Sequence, residues 1–319
     1  MNPTPAKREA AFLKIIAVIL ACSVVMSGLT IAATANDIVS FGSSPGYGSS
    51  YIPVTPPQLG YSPPAVTPPM GFSIMPFSTA NVSDQAQLFA AISDSAVTHI
   101  NLTADITLGS QLPIPVGRNI LLTSTDGNFA LRRSTSTTME LIHMAVGTHL
   151  TLENITIDGM GISSGNALIG NHGTLIMNDG AVIQNNRSSA STGAVGNASN
   201  GTFIMNGGYI RDNESLVSGG GVRNVGTFTM YNGSIVENDA ASQGGGVLND
   251  GTFVMHNGNI IGNTANGRGG GVFISGNNTF EMFNGLIYDN RASSGGGVSF
   301  TDGTFTMHNG RIEKMPILW

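Results

Sequence analysis

The chain has 319 residues, only 10% of them charged, with 43 Gly, 14 Pro and a single Cys, Cys22. One thiol excludes an internal disulfide framework and a Cys-based metal site, so stability must come from packing. A formal charge of −6, with no basic run outside the first 14 residues, argues against nucleic acid or an anionic membrane face as partner.

Lys7, Arg8 and Lys14 precede an apolar run from Ile15 to Ala32, and Ala33-Thr34-Ala35 follows it. This is the order of a secretory signal, with cleavage expected after Ala35. The run is also long enough to span a bilayer, so residues 1–35 read as a signal peptide or a signal-anchor. In the second case the membrane is a partner only through this segment. A lipoprotein reading at Cys22 is weaker, because Leu20 is bulky and the apolar run continues past the thiol. Residues 36–80 then alternate Pro with Gly, Ser and Tyr, the composition of a semi-rigid tether.

From Ser83 to Ile92 apolar residues fall at helical spacing behind a Ser cap candidate, which predicts a short helix closing the N-terminal end of the first coil. Strand-like alternation begins at Ile100-Asn101-Leu102. It is cleanest in His149–Gly159, where Leu150, Leu152, Ile155 and Ile157 form the apolar set.

One phrase then occurs six times: Gly-Thr-Phe-x-Met-x-Asn-Gly-x-Ile-x-x-Asn, followed by Gly-Gly-Gly-Val. Its Thr positions are Thr174, Thr202, Thr227, Thr252, Thr279 and Thr304, in steps of 28, 25, 25, 27 and 25 residues. Such a period marks a solenoid whose units bury their apolar side only by stacking. Phe203 and Met205, and their counterparts in each copy, lie two apart and therefore share the inner face of a strand. A Met column is core rather than a metal or redox device. The Asn-Gly pairs, such as Asn232-Gly233, supply the positive φ of a sharp corner, after which Val182, Ile210, Ile235, Ile260, Ile287 and Ile312 return to the interior. Three residues on stand Asn185, Asn213, Asn238, Asn263 and Asn290. This recurring Asn predicts a buried amide ladder that satisfies corner backbone groups. Triplets such as Gly244-Gly245-Gly246 have neither the following helix nor the Lys of a phosphate loop and read as tight corners.

These repeats resemble the right-handed parallel β-helix of bacterial and archaeal surface proteins, adhesin-like or pectin-lyase-like, and are similar to the repeats of polymorphic outer-membrane autotransporter proteins. The resemblance covers about residues 80–314. It implies an all-β, right-handed single-stranded parallel β-helix over 81–314, displayed outside the cell as a binding or structural rod. No membrane barrel or sorting motif follows. The irregular tail 315–319 either caps the last coil or marks a shortened array, and the second reading is preferred.

The position after Met, between core and corner, points outward: Asn178, Asn206, Tyr231, His256, Phe283 and His308. Stacked amides and rings there make a candidate surface for a glycan or for a host or cell-surface protein. Zinc at His256 and His308 is disfavoured, because two strand spacings separate them by about 9.6 Å. Lyases and hydrolases of this fold need clustered carboxylates. Here the acids scatter by repeat position, and Arg132-Arg133 has no matched acidic cluster. The expectation is therefore no catalytic residue, no metal and no cofactor, with a polysaccharide lyase or hydrolase as the alternative.

Overall fold

The computed structural model describes residues 78–314, and within them the chain is a parallel β-solenoid with a single α-helix. The expectations for the signal segment 1–35, for residues 36–77 of the tether and for the tail 315–319 lie outside the described residues. The first strand, β1 (Ser78–Val82), begins inside the stretch assigned above to the tether and pairs in parallel with Val97–Leu102.

Between these two strands the helix α1 (Gln85–Ser93) turns Leu88, Ala91 and Ile92 inward. Its N-cap is Asp84 rather than the expected Ser83: the Asp84 carboxylate accepts from Gln87 N at 2.9 Å, while Gln87 Oε1 accepts from Ser83 N at 2.9 Å. The exchange satisfies two donors that a helix start leaves open. At the other end the Arg118 guanidinium donates to the carbonyls of Ala91 and Val97, so a cation meets the helix C-terminus.

Successive coils stack into four parallel sheets. The long face carries ten strands, from β1 to Thr304–Met307. A second face of nine strands runs from Ile106–Leu108 to Arg311–Glu313, a third has eight, and a strip of two-residue strands has five. From Thr174 onward the register on the long face repeats without slip: Thr174, Thr202, Thr227, Thr252, Thr279 and Thr304 face one another in sequence. Phe therefore lies on Phe. The rings of Phe203, Phe228, Phe253, Phe280 and Phe305 stack at 4.5 to 5.0 Å, and all but Phe305 are fully buried. Each full ring burial contributes about 1.5–3 kcal/mol.

In the first full repeat the corner is one residue longer. Met177 is followed by Asn178-Asp179-Gly180-Ala181, so that Ile183 rather than Val182 pairs with Ile210 and is buried. The shift carries downstream. The inward amide of this coil is Asn186, whereas Asn185 adopts a left-handed φ of 56° and bonds outward to Asp158. The ladder that the structure builds is thus Asn186, Asn213, Asn238, Asn263 and Asn290. Asn213 Oδ1 accepts from Asn186 N at 3.0 Å. Amide-to-amide bonds of 2.9 to 3.0 Å then link Asn213, Asn238, Asn263 and Asn290.

A second ladder, not anticipated from the repeat phrase, runs along the opposite corner. Asn171, Asn197, Asn224 and Asn249 are buried, and the Nδ2 of each of the first three donates to the next Oδ1 at 2.7 Å. The same Nδ2 atoms reach the Thr carbonyl of the following coil. This row ends where Ile274 takes the position.

The Gly triplets are corners of close approach. Gly244 has φ +65°, and a Cβ on Gly245 would meet the carbonyl oxygens of Thr264 and Gly270. No side chain larger than hydrogen fits between these coils.

Candidate functional site

Two surfaces of the rod combine exposure with chemistry. The first is the outside of the long face. Strand alternation that sends Phe and Met inward leaves the residue after Met on the outer edge, and the unbroken register lines these residues up coil by coil. At the N-terminal end of the row Asn178 Nδ2 donates to Glu153 Oε2 at 2.9 Å, and Asn206 Nδ2 donates to Asn178 Oδ1 at 3.0 Å. Rings then take over. Tyr231 lies 4.7 Å from His256, His256 5.1 Å from Phe283, and Phe283 4.6 Å from His308, with planes 3° to 12° from parallel. His308 Nε2 also meets Glu281 Oε1 at 2.7 Å. Thus Asn206, Tyr231, His256, Phe283 and His308 do form one continuous row, with Tyr231 50% and Phe283 39% exposed.

The stacking limits what the row can present. Rings packed face to face along the rod cover one another's π faces, so solvent meets their hydrogen-bearing edges, the Tyr hydroxyl and the imidazole nitrogens. Sugar rings bind aromatics through the face. The middle of the row therefore offers no such platform, contrary to what exposed aromatics alone would suggest. One face is different: Tyr231 has no ring on its N-terminal side, where the position one coil back holds Asn206. Beside Asn206 opens a notch of about 340 Å³ lined by Glu153, Asn154, Asn178 and Asp179.

The second surface is a charged groove of about 650 Å³ where the second face turns into the two-residue strands. Arg132, Asp158, Asn185, Arg187, Asp212 and Glu214 line it. The expectation that Arg132 lacks an acidic cluster is overturned. The residues come from successive coils, Arg132 facing Asp158 and Arg187 facing Glu214 on neighbouring strands, at positions whose residue type changes from coil to coil. Asp158 is 9% exposed and accepts from Gln184 Nε2 at 2.8 Å, from Asn185 Nδ2 at 3.2 Å and from Met160 N at 2.7 Å. Arg132 pairs with Asp105 at 2.8 Å, and Arg187 with Glu214 at 3.1 Å. Burial raises the carboxyl of Asp212 above its ordinary range, with the Arg211 cation opposing. Asp239 is raised by burial and then by the charge of Glu214, the residue facing it on the neighbouring strand.

Other acids do not gather. Asp250 pairs with Arg223 at 3.0 Å and accepts from Ser275. Its neighbour in the column is Ser275. Among the described residues no group of three or more His, Cys, Asp or Glu side chains is placed to hold a metal ion, and no helix is long and apolar enough to cross a membrane.

An unbroken parallel solenoid, with amide ladders at two corners and a polar groove on its flank, matches one family description. Residues 79–309 fit the model of the family described as "Putative pectate lyase-like adhesive domain". The chain belongs to this family. Neither the curated proteins nor the solved structures contain a match to the chain. The family description supports an adhesin-like, pectate-lyase-like β-helix repeat protein and covers nearly all of the described residues.

Proposed function

We propose that this chain is exported and acts at the cell surface as an adhesin-like binding rod whose ligand is a glycan or a cell-surface protein. The observation that carries the reading is the single row from Glu153 to His308, in which hydrogen bonds join Glu153, Asn178 and Asn206, and ring stacking joins Tyr231, His256, Phe283 and His308. A prearranged surface loses little rotamer entropy on contact, which is where a rod differs from a flexible binder. The adhesive description of the family and the signal-like N-terminus support display outside the cell. The test is attachment of the purified chain to cells and to arrayed glycans. Replacing Tyr231, His256 and Phe283 together by Ala is expected to abolish attachment while the denaturation midpoint stays close to that of the parent. Undiminished attachment by the triple variant would discard the row as the binding surface.

The charged groove favours one alternative, a polysaccharide lyase or hydrolase on the same fold. Asp158, fixed by hydrogen bonds from Gln184, Asn185 and Met160, and Asp212, whose carboxyl burial raises, line the same groove and supply the two carboxylates that such chemistry requires. Incubation with pectins and alginates, with detection of new reducing ends and unsaturated products, decides it. Release that disappears in Asp158→Asn would replace the binding reading with a catalytic one.

A further inference from the structure

We infer that the exposed Asn-Gly corners beside the outer row are sites of spontaneous modification, at which Asn232, Asn257, Asn284 and Asn309 close on the following glycine and end as aspartate or isoaspartate. The inference does not depend on what the row binds.

Several features coincide at these corners. Each Asn is exposed, and its side-chain amide meets no hydrogen-bond partner among the described residues. Each is followed by a glycine with φ of 96° to 112°, so no Cβ shields the glycine nitrogen. That nitrogen also donates to no acceptor among the described residues. His256 N reaches Met230 O and Asn259 N reaches Gly233 O, while Gly258 between them has no facing carbonyl. The other Asn-Gly pairs lack this freedom and serve as internal controls. Gly201 N donates to Ala198 O at 2.8 Å, and Gly267 N to Ser242 O at 2.7 Å. Gly207 N donates to Met177 O at 3.2 Å, and the Asn206 amide is engaged with Asn178.

The fold keeps the reactive pair in place. A Cβ on Gly258 would lie 2.6 Å from Met230 Cε and 2.8 Å from the Gly233 carbonyl oxygen. Gly233, Gly285 and Gly310 stand against Met205, Met255 and Met282 in the same way. The inner Met column thus requires a glycine at each corner, and the glycine leaves the preceding Asn open to attack.

In the step itself the glycine nitrogen bonds to the Asn Cγ and the carbon–nitrogen bond of the amide breaks. The amide nitrogen leaves as ammonia, taking the proton of the glycine N–H, and nothing is oxidised or reduced. One water then opens the cyclic imide at either carbonyl. The product is aspartate or, with the chain rerouted through the β-carboxyl, isoaspartate. Either carries a carboxylate where a neutral amide stood. Each Asn directly follows Tyr231, His256, Phe283 or His308, so conversion sets new charges about 4.8 Å apart beside the row. The surface there gains negative charge with age.

The test is timed incubation of the full chain in mildly alkaline buffer. Peptide mapping by mass spectrometry reads the amide-to-acid mass step, and electron-transfer fragmentation tells aspartate from isoaspartate. The four corner Asn are expected to convert about fivefold faster than Asn200 and Asn266. That ratio corresponds to a hydrogen bond of about 1 kcal/mol, which must break in the controls before the glycine nitrogen can attack. In chain held unfolded in guanidinium chloride all the Asn-Gly pairs should converge to a common rate. Replacing the four corner Asn by Gln should remove the fast acidic shift on ion exchange. Conversion of Asn200 or Asn266 as fast as the corners in the folded chain overturns the inference. So does an absence of corner conversion over a period in which the unfolded chain reacts. The same ranking in the unfolded chain would assign the difference to neighbouring residues instead of the corners, and the inference would fall.

Discussion

Two stacks of rings climb the same sheet, one on each side of it. Inside, Phe203, Phe228, Phe253 and Phe280 lie 4.5 to 4.6 Å apart and are sealed from water. Outside, Tyr231, His256, Phe283 and His308 keep nearly the same spacing, 4.6 to 5.1 Å, with their edges in solvent. The geometry is shared because one strand register sets both. The energetics are not. The inner stack is held by removal of apolar area from water, whereas the outer one gains only the ring contacts themselves. Stacking in a solenoid is thus a product of register, and burial decides whether a stack serves stability or recognition.

The contrast is tested most directly by truncating one ring on each side. Phe253→Ala should cost about 3–5 kcal/mol of unfolding free energy, the usual loss for a buried ring, read by chemical denaturation. Phe283→Ala should cost about 1 kcal/mol or less, the contribution of stacking without burial. Equal losses would mean that the outer row is as structural as the inner one. Next in size is the corner amide. Asn238 donates to Ile210 O and Val236 O, both at about 3 Å, and to Asn263. Asn238→Ala is expected to destabilise by about 1–3 kcal/mol, and Asn224→Ala on the other ladder by a similar amount. A parent-like midpoint in both would show that the amides are passengers of the register.

Smaller effects come from the corner preceding the ladder, where Asn185, Asp212, Glu237 and Asp289 hold φ of 49° to 56° and Gly262 holds 67°. Gly262→Ala should lose about 1–2 kcal/mol, the penalty of a left-handed L-residue, observable as a lowered midpoint. The smallest change concerns pH. Burial raises Asp212 in the folded chain, so the folded state binds more protons than the unfolded one between the ordinary Asp value and the raised one. Stability from this group is therefore full at acid pH and lost as pH rises through the raised value. Asp212→Asn should raise the midpoint slightly at neutral pH and not below the ordinary Asp range; a gain of equal size at both would remove the titration as its cause.

The sequence carried the repeat face well because Phe and Met sit two apart at steps that hardly vary, and a period of two admits one inner face. It carried the corners less well. Asn185 and Asn186 are adjacent and identical, and only the extra residue in Asp179-Gly180-Ala181 decides which of them turns inward. That insertion is visible as the long 28-residue step, but its location within the coil is not. The second ladder left a signal that was open to reading: Asn171, Asn197, Asn224 and Asn249 each stand two residues after an inward Ile or Val. The signal stops at Ile274 and Phe300, which blurs it as a repeat. The groove was hidden differently: Arg132 faces Asp158 and Arg187 faces Glu214 one coil apart, but residue type changes from coil to coil at these positions, so no repeated letter marks them. For the outer row, spacing gave the column but not the orientation of its ring planes, and orientation controls which sugar contacts are open.

Strict pairing of Thr202 with Thr227 and of Thr227 with Thr252 makes the 25-residue coil an interchangeable part. Excising 227–251 would bring Phe253 onto Phe203 and Asn263 onto Asn213, and leave a shaft shorter by about 4.8 Å. Duplicating the same segment would lengthen it by one such increment. The length of the shaft is thus adjustable in fixed quanta, by gain or loss of whole windings, with the inner Phe stack and the Asn213-to-Asn290 ladder kept in register.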